Sequence, residues 1–184
     1  MLFETLAVNS EIQLKAAKPS YAPALWRLVQ ENRPHLEKWM DWAQNLKNIA
    51  NTERYLREMN LFNQGQQHFF SFIFSEEQLV GSIALLKRDK INHSAEIAFW
   101  KHPVLLSKDD MFLTCTSLIE YIWTYDFIQR LELQTLSLNE PAKNLAARLG
   151  FELEGRKRRA IFRNRGYLDL DVYGLLKQES MDNK

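Results

Sequence analysis

The chain has 184 residues, of which 46% are hydrophobic and 26% charged, so it is long enough for one domain with a buried core. Its formal net charge of +1 at pH 7 argues against a surface that coats nucleic acid. The single cysteine, Cys115, excludes an internal disulfide, and no apolar run reaches the roughly 20 residues of a membrane span. Because the acidic N-terminal stretch does not fit a signal peptide, we expect a cytoplasmic protein.

The first half of the chain changes from helical to strand periodicity. Residues 11–17 alternate polar and apolar side chains and predict a strand, whereas residues 19–32 carry an apolar stripe that predicts a helix. Residues 49–62 predict a second, less regular helix. Three strand patterns follow, at 68–75, 78–88 and 94–101. The turns between these three strands are short, so we expect an antiparallel meander.

The second half alternates helices with strands. The predicted elements are a helix from the loop at 105–112 to about 128, a strand at 131–138, a short helix at 141–149, and strands at 151–162 and 167–176. Pro141 fits the first turn of the short helix, and Gly150 fits the position after its end. This order predicts one α/β or α+β domain with a mixed sheet and helices on both faces.

Three separated motifs resemble the GNAT superfamily of N-acetyltransferases, and within it the branch of Rim-type ribosomal-protein acetyltransferases. The motifs are NRPHLEKWMDW (32–42), AEIAFW (95–100), and NEPAKNLAARLGFELEG (139–155) followed by GYLDLDVYGLL (166–176). Ala98 stands where the family has glycine. The resemblance covers roughly residues 10 to 176, which leaves residues 1–9 as an N-terminal extension and 177–184 as a polar tail.

The resemblance implies a single-domain GNAT fold with a mixed, mostly antiparallel sheet. It also implies transfer of an acetyl group from acetyl-CoA to an amine, with a protein N-terminal amine as the expected acceptor. It implies no membrane partner and leaves a homodimer open.

The family's loop for the CoA pyrophosphate aligns with LLSKDD, and the alignment shows substitutions. Leu106 replaces a Gln or Arg, while Ser107 and Asp109 replace glycines. Ser107 and Asp110 have the spacing of a helix N-cap and its third residue, so we expect them to cap the backbone N–H groups that phosphate would otherwise bind. Lys108 is expected to offset part of the negative charge.

A second departure lies at the short helix that follows Asn139. The family often has a serine at the position of Ala142, as a candidate acid for the departing thiolate, and alanine cannot donate a proton. Asn139 itself is expected to hydrogen-bond the pantetheine arm. Two alternatives therefore stay open: a catalytically decayed protein that acts as a binding or regulatory module, and an enzyme that binds another acyl donor, with Lys108 holding its phosphates.

The strand at 94–101 supplies the remaining candidates for catalysis. The resemblance makes Glu96 a general base that acts through water; alternatively, it is a strand carboxylate paired with a cation. The backbone groups of Phe99, Trp100 and Lys101 are expected to polarise the acetyl carbonyl and pair with pantetheine.

Other residues have both functional and structural interpretations. Trp39 and Trp42 stand three apart, on one expected helical face, and either wall an acceptor pocket or belong to the core. We predict no metal site, because the four histidines lack ligand spacing: His35, His68, His93 and His102. Cys115 is expected in the core.

The segment 155–166, GRKRRAIFRNRG, contains six basic residues and no acidic one. Its charge could guide an acidic peptide, an RNA surface or the 3′-phosphate of CoA. Alternatively, it is a solvated hairpin, since exposed strands favour Lys and Arg. We expect no exposed aromatic residue between the cations, so no nucleic-acid-binding motif is predicted.

Overall fold

The computed structural model describes residues 2–163 and 165–182 and confirms the α/β class. Met1 of the predicted extension, Asn164 of the basic segment and residues 183–184 of the predicted tail lie outside the described residues. The strands are β1 (Thr5–Ala7), β2 (Ile12–Ala16), β3 (Phe69–Ser75), β4 (Gln78–Asp89), β5 (Ser94–Lys101), β6 (Arg130–Leu136), β7 (Glu152–Arg163) and β8 (Gly166–Leu176). The helices are α1 (Ala22–Trp39), α2 (Ile49–Gly65), α3 (Lys108–Tyr125), α4 (Glu140–Arg148) and α5 (Lys177–Asp182), with short 3₁₀ helices at Pro19–Tyr21 and Asp41–Asn45.

Hydrogen-bonded neighbours follow the strand order β1-β2-β3-β4-β5-β6-β8-β7. The pairs β1–β2, β2–β3, β6–β8 and β7–β8 are antiparallel, whereas β5–β6 is parallel. Residues 76–77 and 90–93 connect β3 to β4 and β4 to β5. Such short connections cannot make a crossover, so these neighbours run antiparallel. The predicted mixed, mostly antiparallel sheet and its meander are confirmed.

The first of two compact units contains the chain up to Ala84 together with Phe99–Thr114. Its core is built by the apolar stripe of α1 with side chains of β3 and β4, among them Leu25, Val29, Phe72 and Leu79. Leu14 of β2 pairs with Ile73 and is buried on the other face of the sheet. These stripes follow the periods of 3.6 and 2 that helices and strands require. Trp100, near the end of β5, packs against the same cluster.

Helix α1 is longer than its sequence pattern indicates. It continues through Pro34 to Trp39, although proline inside a helix removes one backbone hydrogen bond. Leu36, beyond the proline, is buried and anchors the last turn. Arg33 then donates hydrogen bonds to the carbonyl oxygens of Ala43 (2.9 Å) and Leu46 (2.7 Å), which ties the following segment to the helix.

The second unit contains Leu85–Ala98 and the chain from Cys115 onward. Leu118 and Ile122 of α3 and Leu131 and Leu133 of β6 are buried there. Cys115 is also fully buried, as expected of a small core residue. Its pKa is raised by burial, so the thiol stays protonated.

The end of α4 has the predicted glycine geometry. Gly150 has φ +86°, in the left-handed region, and its N–H donates to the carbonyl of Ala147 (3.1 Å). The N–H of Phe151 donates to the carbonyl of Ala146 (3.0 Å), which completes a Schellman motif. The motif turns the chain so that Phe151 is buried at the entrance to β7.

Both chain ends carry elements that the sequence pattern did not predict. Strand β1 lies in the predicted extension and pairs with β2, and α5 lies in the predicted tail. The domain limits at residues 10 and 176 stay predictions. In the described part of the chain, no helix combines the length and apolarity that crossing a bilayer would require.

Candidate functional site

The parallel pairing of β5 with β6 stops early. It matches Ser94, Ala95 and Glu96 with Arg130, Leu131 and Glu132. Strand β5 nevertheless continues to Lys101 and β6 to Leu136. Among the described residues, the pairing of β5 with β6 thus ends at Glu96, and the side of β5 beyond Glu96 that faces away from β4 is called the open edge.

Alternation along β5 shows which backbone groups lie on this open edge. The carbonyl of His93 accepts a hydrogen bond from the chain that enters β6 (2.7 Å). At the other end, the N–H of His102 donates to the carbonyl of Val80 on β4 (2.7 Å). Because successive residues of a strand turn their N–H and C=O groups to opposite edges, the backbone groups of Phe99 and Lys101 point away from β4. These are two of the three predicted backbone residues.

Trp100 faces the other way, with its backbone toward β4. A Cβ atom added to Gly81 of β4 would lie 2.6 Å from the Trp100 carbonyl oxygen, so only glycine allows this close approach. The ring of Trp100 lies 5.4 Å from that of Trp42, which in turn stacks on Tyr55 at 5.6 Å. The structure thus brings together two predicted site residues, Trp42 and Trp100.

The prediction that Trp39 and Trp42 share one helical face is wrong. Trp39 is the last residue of α1, and Met40 adopts an extended conformation with φ −130° and ψ 111°. Trp42 belongs to the 3₁₀ helix that follows. The ammonium of Lys38 instead lies over the Trp39 ring, 4.7 Å from its centroid, in a cation–π contact. A role for the two tryptophans in an acceptor pocket stays a prediction.

The start of α3 caps itself, as predicted. Ser107 Oγ accepts the N–H of Asp110 (3.0 Å), and the Asp110 carboxylate accepts the N–H of Ser107 (3.3 Å). This reciprocal pair is a capping box. Leu106 is buried with 1% exposure and anchors the loop, while Lys108 and Asp109 are exposed in the first turn.

Two side chains hold the loop between β5 and α3, and the sequence pattern predicted neither role. Lys101 Nζ donates to three carbonyl oxygens, those of His102 (3.2 Å), Pro103 (3.2 Å) and Leu106 (2.5 Å). His102 Nδ1 accepts two backbone N–H groups, those of Val104 (3.2 Å) and Leu105 (3.1 Å). Burial lowers the pKa of Lys101, and the charge of Lys108 lowers it further.

In the second unit, Glu96 has the cation partner that the structural interpretation predicted. Its carboxylate lies 2.7 Å from the ammonium of Lys87 and accepts a longer hydrogen bond from Gln134 (3.5 Å). The Glu96 side chain is 15% exposed and that of Lys87 is 68% exposed. Both contacts are made by Oε2, and the carboxylate remains close to solvent.

Asn139 is the N-cap of α4. Its side-chain oxygen accepts the N–H of Ala142 (3.4 Å), which leaves the side-chain amide nitrogen without a partner in the described part of the chain. That nitrogen can donate to a ligand. Ala142 lies in the first turn of the same helix and supplies no polar group.

Tyr173 is a candidate proton donor. It lies in the motif at 166–176, but the sequence analysis predicted no catalytic role for it. It lies on β8 and is buried, and it interacts electrostatically with Lys143 and Glu140 in the first turn of α4. Burial raises the pKa of its phenol, and the nearby Asp171 carboxylate raises it further. The phenol therefore keeps its proton at neutral pH. Its position within the Tyr-Gly-Leu-Leu ending was the available signal.

The β7–β8 hairpin exposes aromatic rings between its cations, which differs from the expectation. Phe162 is 65% exposed and Tyr167 is 54% exposed, with ring centroids 5.1 Å apart. The guanidinium of Arg159 lies 4.3 Å from the Tyr167 ring. Arg156 is neutralised by Asp171, at 2.6 Å. A binding role for this hairpin stays a prediction.

His102 interacts electrostatically with His35 and with the carboxylate of Glu31. Within residues 2–163 and 165–182, no three His, Cys, Asp or Glu side chains come together in a way that could hold a metal ion. His68, for example, packs against the rings of Phe62 and Phe70.

Comparison with known proteins confirms the predicted fold. A family model described as "Acetyltransferase (GNAT) domain" matches residues 11–152. The chain is 27% identical over 183 residues to the putative ribosomal N-acetyltransferase YdaF of Bacillus subtilis, covering 95% of this chain and 96% of that protein. It is 24% identical over 170 residues to the ribosomal-protein-serine acetyltransferase of Escherichia coli, covering 92% and 95%. A solved structure of RimL, a ribosomal L7/L12 alpha-N-protein acetyltransferase in complex with coenzyme A, has a TM-score of 0.90 and 25% identity, covering 94% of this chain and 98% of that one.

Proposed function

Because the chain belongs to the GNAT acetyltransferase family, we propose that it transfers an acetyl group from acetyl-CoA to the N-terminal amine of a protein. The relatives that match along their whole length are ribosomal-protein acetyltransferases by name, and the RimL structure holds coenzyme A. Within this chain, the observation that carries the proposal is the open edge of β5 at Phe99 and Lys101.

An open strand edge suits an extended ligand that carries amide groups. The pantetheine arm of CoA can pair with such an edge as an added strand would. The N–H groups of Phe99 and Lys101 are fixed by the strand, so they can donate to the thioester carbonyl without reorganising. As the amine nitrogen bonds to the acetyl carbon, negative charge develops on that oxygen; the C–S bond then breaks and releases the thiolate.

Glu96 is the proposed base for this reaction. An N-terminal ammonium must lose a proton before its nitrogen can attack, and an ionised carboxylate can take that proton through a bridging water. The ion pair with Lys87 holds the Glu96 carboxylate in place on β5.

Tyr173 is the proposed acid. The departing thiolate needs a proton, and Ala142 has none to give. The phenol of Tyr173 lies close to the first turn of α4, where Asn139 presents a free amide nitrogen for the pantetheine arm. The phenol is protonated at neutral pH, so it can transfer its proton to the sulfur as the C–S bond breaks.

The start of α3 is the proposed binding site of the diphosphate, although the capping box weakens the binding of an anion there. A carboxylate about 5 Å from a phosphate charge costs on the order of 3 kcal/mol at an effective dielectric near 20. The positive charge of Lys108 in the same turn opposes this cost. The alternative of a decayed, non-catalytic protein gains no support from the relatives, which are named as acetyltransferases.

The proposal is tested with two sets of peptides and acetyl-CoA. One set has the free N-termini of ribosomal proteins, and the matched set has the same sequences with blocked N-termini and free lysines. Mass spectrometry should show one added acetyl group on the α-amine of the first set, at a rate that depends on the protein. Acetylation of neither set, or of the lysine set alone, would refute the proposed acceptor.

A further inference from the structure

The loop before α3 achieves its shape without glycine. The family's loop at this position uses glycines, yet none of the described residues from His102 to Asp110 has a positive φ. The backbone here is of a kind that any residue adopts. Its shape must therefore be set by something other than backbone freedom.

The Lys101–His102 clasp, defined as the side chains of these two residues with their five hydrogen bonds to the loop, supplies that constraint. The ammonium of Lys101 donates hydrogen bonds to three carbonyl oxygens, and Nδ1 of His102 accepts hydrogen bonds from two backbone N–H groups. Most backbone polar groups of residues 102–106 thus have partners on two adjacent side chains. A loop satisfied in this way has little freedom to rearrange.

The clasp also determines the polarity at the entrance to α3. The carbonyl of Leu106 belongs to the same peptide unit as the N–H of Ser107, the N-cap. Lys101 holds that carbonyl and the Asp110 carboxylate holds that N–H, so the peptide plane is fixed from both sides. The carbonyl dipoles point at the ammonium, which keeps their negative ends away from an anion near the first turn of α3.

We propose that Lys101 and His102 are positioning residues that hold this loop in the shape that receives the diphosphate of CoA, a task that glycines perform in related loops. The inference rests on the proposed function. The clasp differs from a glycine loop because side-chain hydrogen bonds, and not backbone freedom, set the shape of the loop. We expect the two side chains of the clasp to affect the binding of the diphosphate and not the binding of the acetyl end of the cofactor.

The Lys101 arm of the test compares two variants that lose the same charge. Lys101→Met keeps the length of the side chain and the backbone N–H but loses the three hydrogen bonds. Lys90→Met, at an exposed lysine in the β4–β5 connection, is the matched control. We expect Lys101→Met to weaken CoA binding about tenfold or more in isothermal titration, because a small misplacement of binding groups has a large effect. Lys90→Met should match the unaltered protein.

A second readout separates positioning from general damage to the fold. S-acetylpantetheine carries the thioester but no diphosphate. For Lys101→Met, the ratio of kcat/KM for acetyl-CoA to kcat/KM for S-acetylpantetheine should fall about tenfold or more. The reason is that the variant weakens the contact between the loop and the diphosphate, and only acetyl-CoA carries a diphosphate. A variant that is merely less folded would lose both activities in proportion, and its ratio would stay constant.

The His102 arm uses pH. Nδ1 can accept two N–H groups only while the imidazole is neutral. Burial lowers the pKa of His102 below its ordinary 6.5; Lys101 and His35 lower it further, whereas the Glu31 carboxylate raises it. The clasp is therefore intact at neutral pH and is lost as the pH falls through that lowered pKa. His102→Asn keeps an acceptor oxygen near the Nδ1 position but does not titrate.

At each pH, the affinity of the unaltered protein for CoA is divided by the affinity of His102→Asn for CoA. This ratio should be near one at neutral pH and should fall in acid. The division cancels the titration of the CoA phosphates. A flat ratio, together with unchanged binding by Lys101→Met, would overturn the inference while leaving the proposed function in place. If the unaltered protein bound no CoA at all, the proposed function and the inference would fail together.

Discussion

Tyr173 and Glu96 are single residues with different surroundings. Burial and the Asp171 carboxylate raise the pKa of Tyr173, whereas the Glu96 carboxylate is paired with the Lys87 ammonium. A reaction that must take a proton from an ammonium and give one to a thiolate needs one group of each kind. The two residues are therefore the proposed acid and base.

Replacement of Tyr173 by Phe should lower kcat about a hundredfold, with little change in KM for acetyl-CoA, because it removes one proton and keeps the packing. Tyr125→Phe, at an exposed tyrosine of α3, is the control and should leave kcat unchanged. Steady-state kinetics with acetyl-CoA measures both. If Tyr173→Phe kept its full kcat, another group would have to be the acid.

Replacement of Glu96 by Gln should lower kcat about a hundredfold by removing the base. Lys87→Met breaks the same ion pair but leaves the carboxylate. If Glu96 serves only the ion pair, both variants should lose similar activity in the same kinetic assay. If Glu96 is the base, Lys87→Met should keep most of the activity.

At the scale of elements, the start of α3 combines a helix N-terminus with two acidic residues. The capping box contributes roughly 1 kcal/mol to the helix, and its carboxylate lies where a phosphate charge is proposed. Stability of the helix and affinity for the cofactor are thus opposed in the same turn. Asp109 adds charge there but takes no part in the Ser107–Asp110 pair.

Asp109→Asn should therefore raise the affinity for CoA several-fold at low salt, and the gain should shrink as ionic strength rises. Glu58→Gln, at an exposed acid of α2, removes the same charge elsewhere and is the control. Isothermal titration at two salt concentrations measures the effect. Equal affinity for both variants would place the diphosphate away from this turn.

At the scale of the whole molecule, stability depends in part on the buried ion pair between Arg88 and Asp126. The two charged groups lie 2.7 Å apart, with side-chain exposures of 8% and 2%. Arg88→Met would leave the carboxylate buried without its cation, which costs about 3–5 kcal/mol. Thermal unfolding followed by circular dichroism should show a Tm lower by about 10 °C. The double variant with Asp126→Leu should recover most of the loss; no recovery would show that the pair itself is not responsible.

Local patterns predicted much of the fold, because their physics is local. The capping box at Ser107 and the glycine turn at Gly150 depend on a few neighbouring residues, and strand alternation needs only one buried face. Helix α1 was predicted too short, because its continuation through Pro34 depends on tertiary burial of Leu36. Strand β1 was missed because three residues carry too little pattern, and its structure depends on pairing with β2.

The site was less predictable than the fold. The family motif pointed to the backbone of residues 99–101, but which groups face the open edge depends on how β4 and β6 pair with β5. The Lys101–His102 clasp depends on side-chain conformation and could not be derived from spacing. The separation of Trp39 from Trp42 depends on one extended residue, Met40.

A crystal structure of the protein with acetyl-CoA tests the central claim most directly. We expect the pantetheine arm along the β5 edge, with the backbone N–H groups of Phe99 and Lys101 donating to the cofactor and the diphosphate at the first turn of α3. A cofactor bound elsewhere, or a β5 edge that remains empty at saturating acetyl-CoA, would contradict the proposed acetyl transfer at this site.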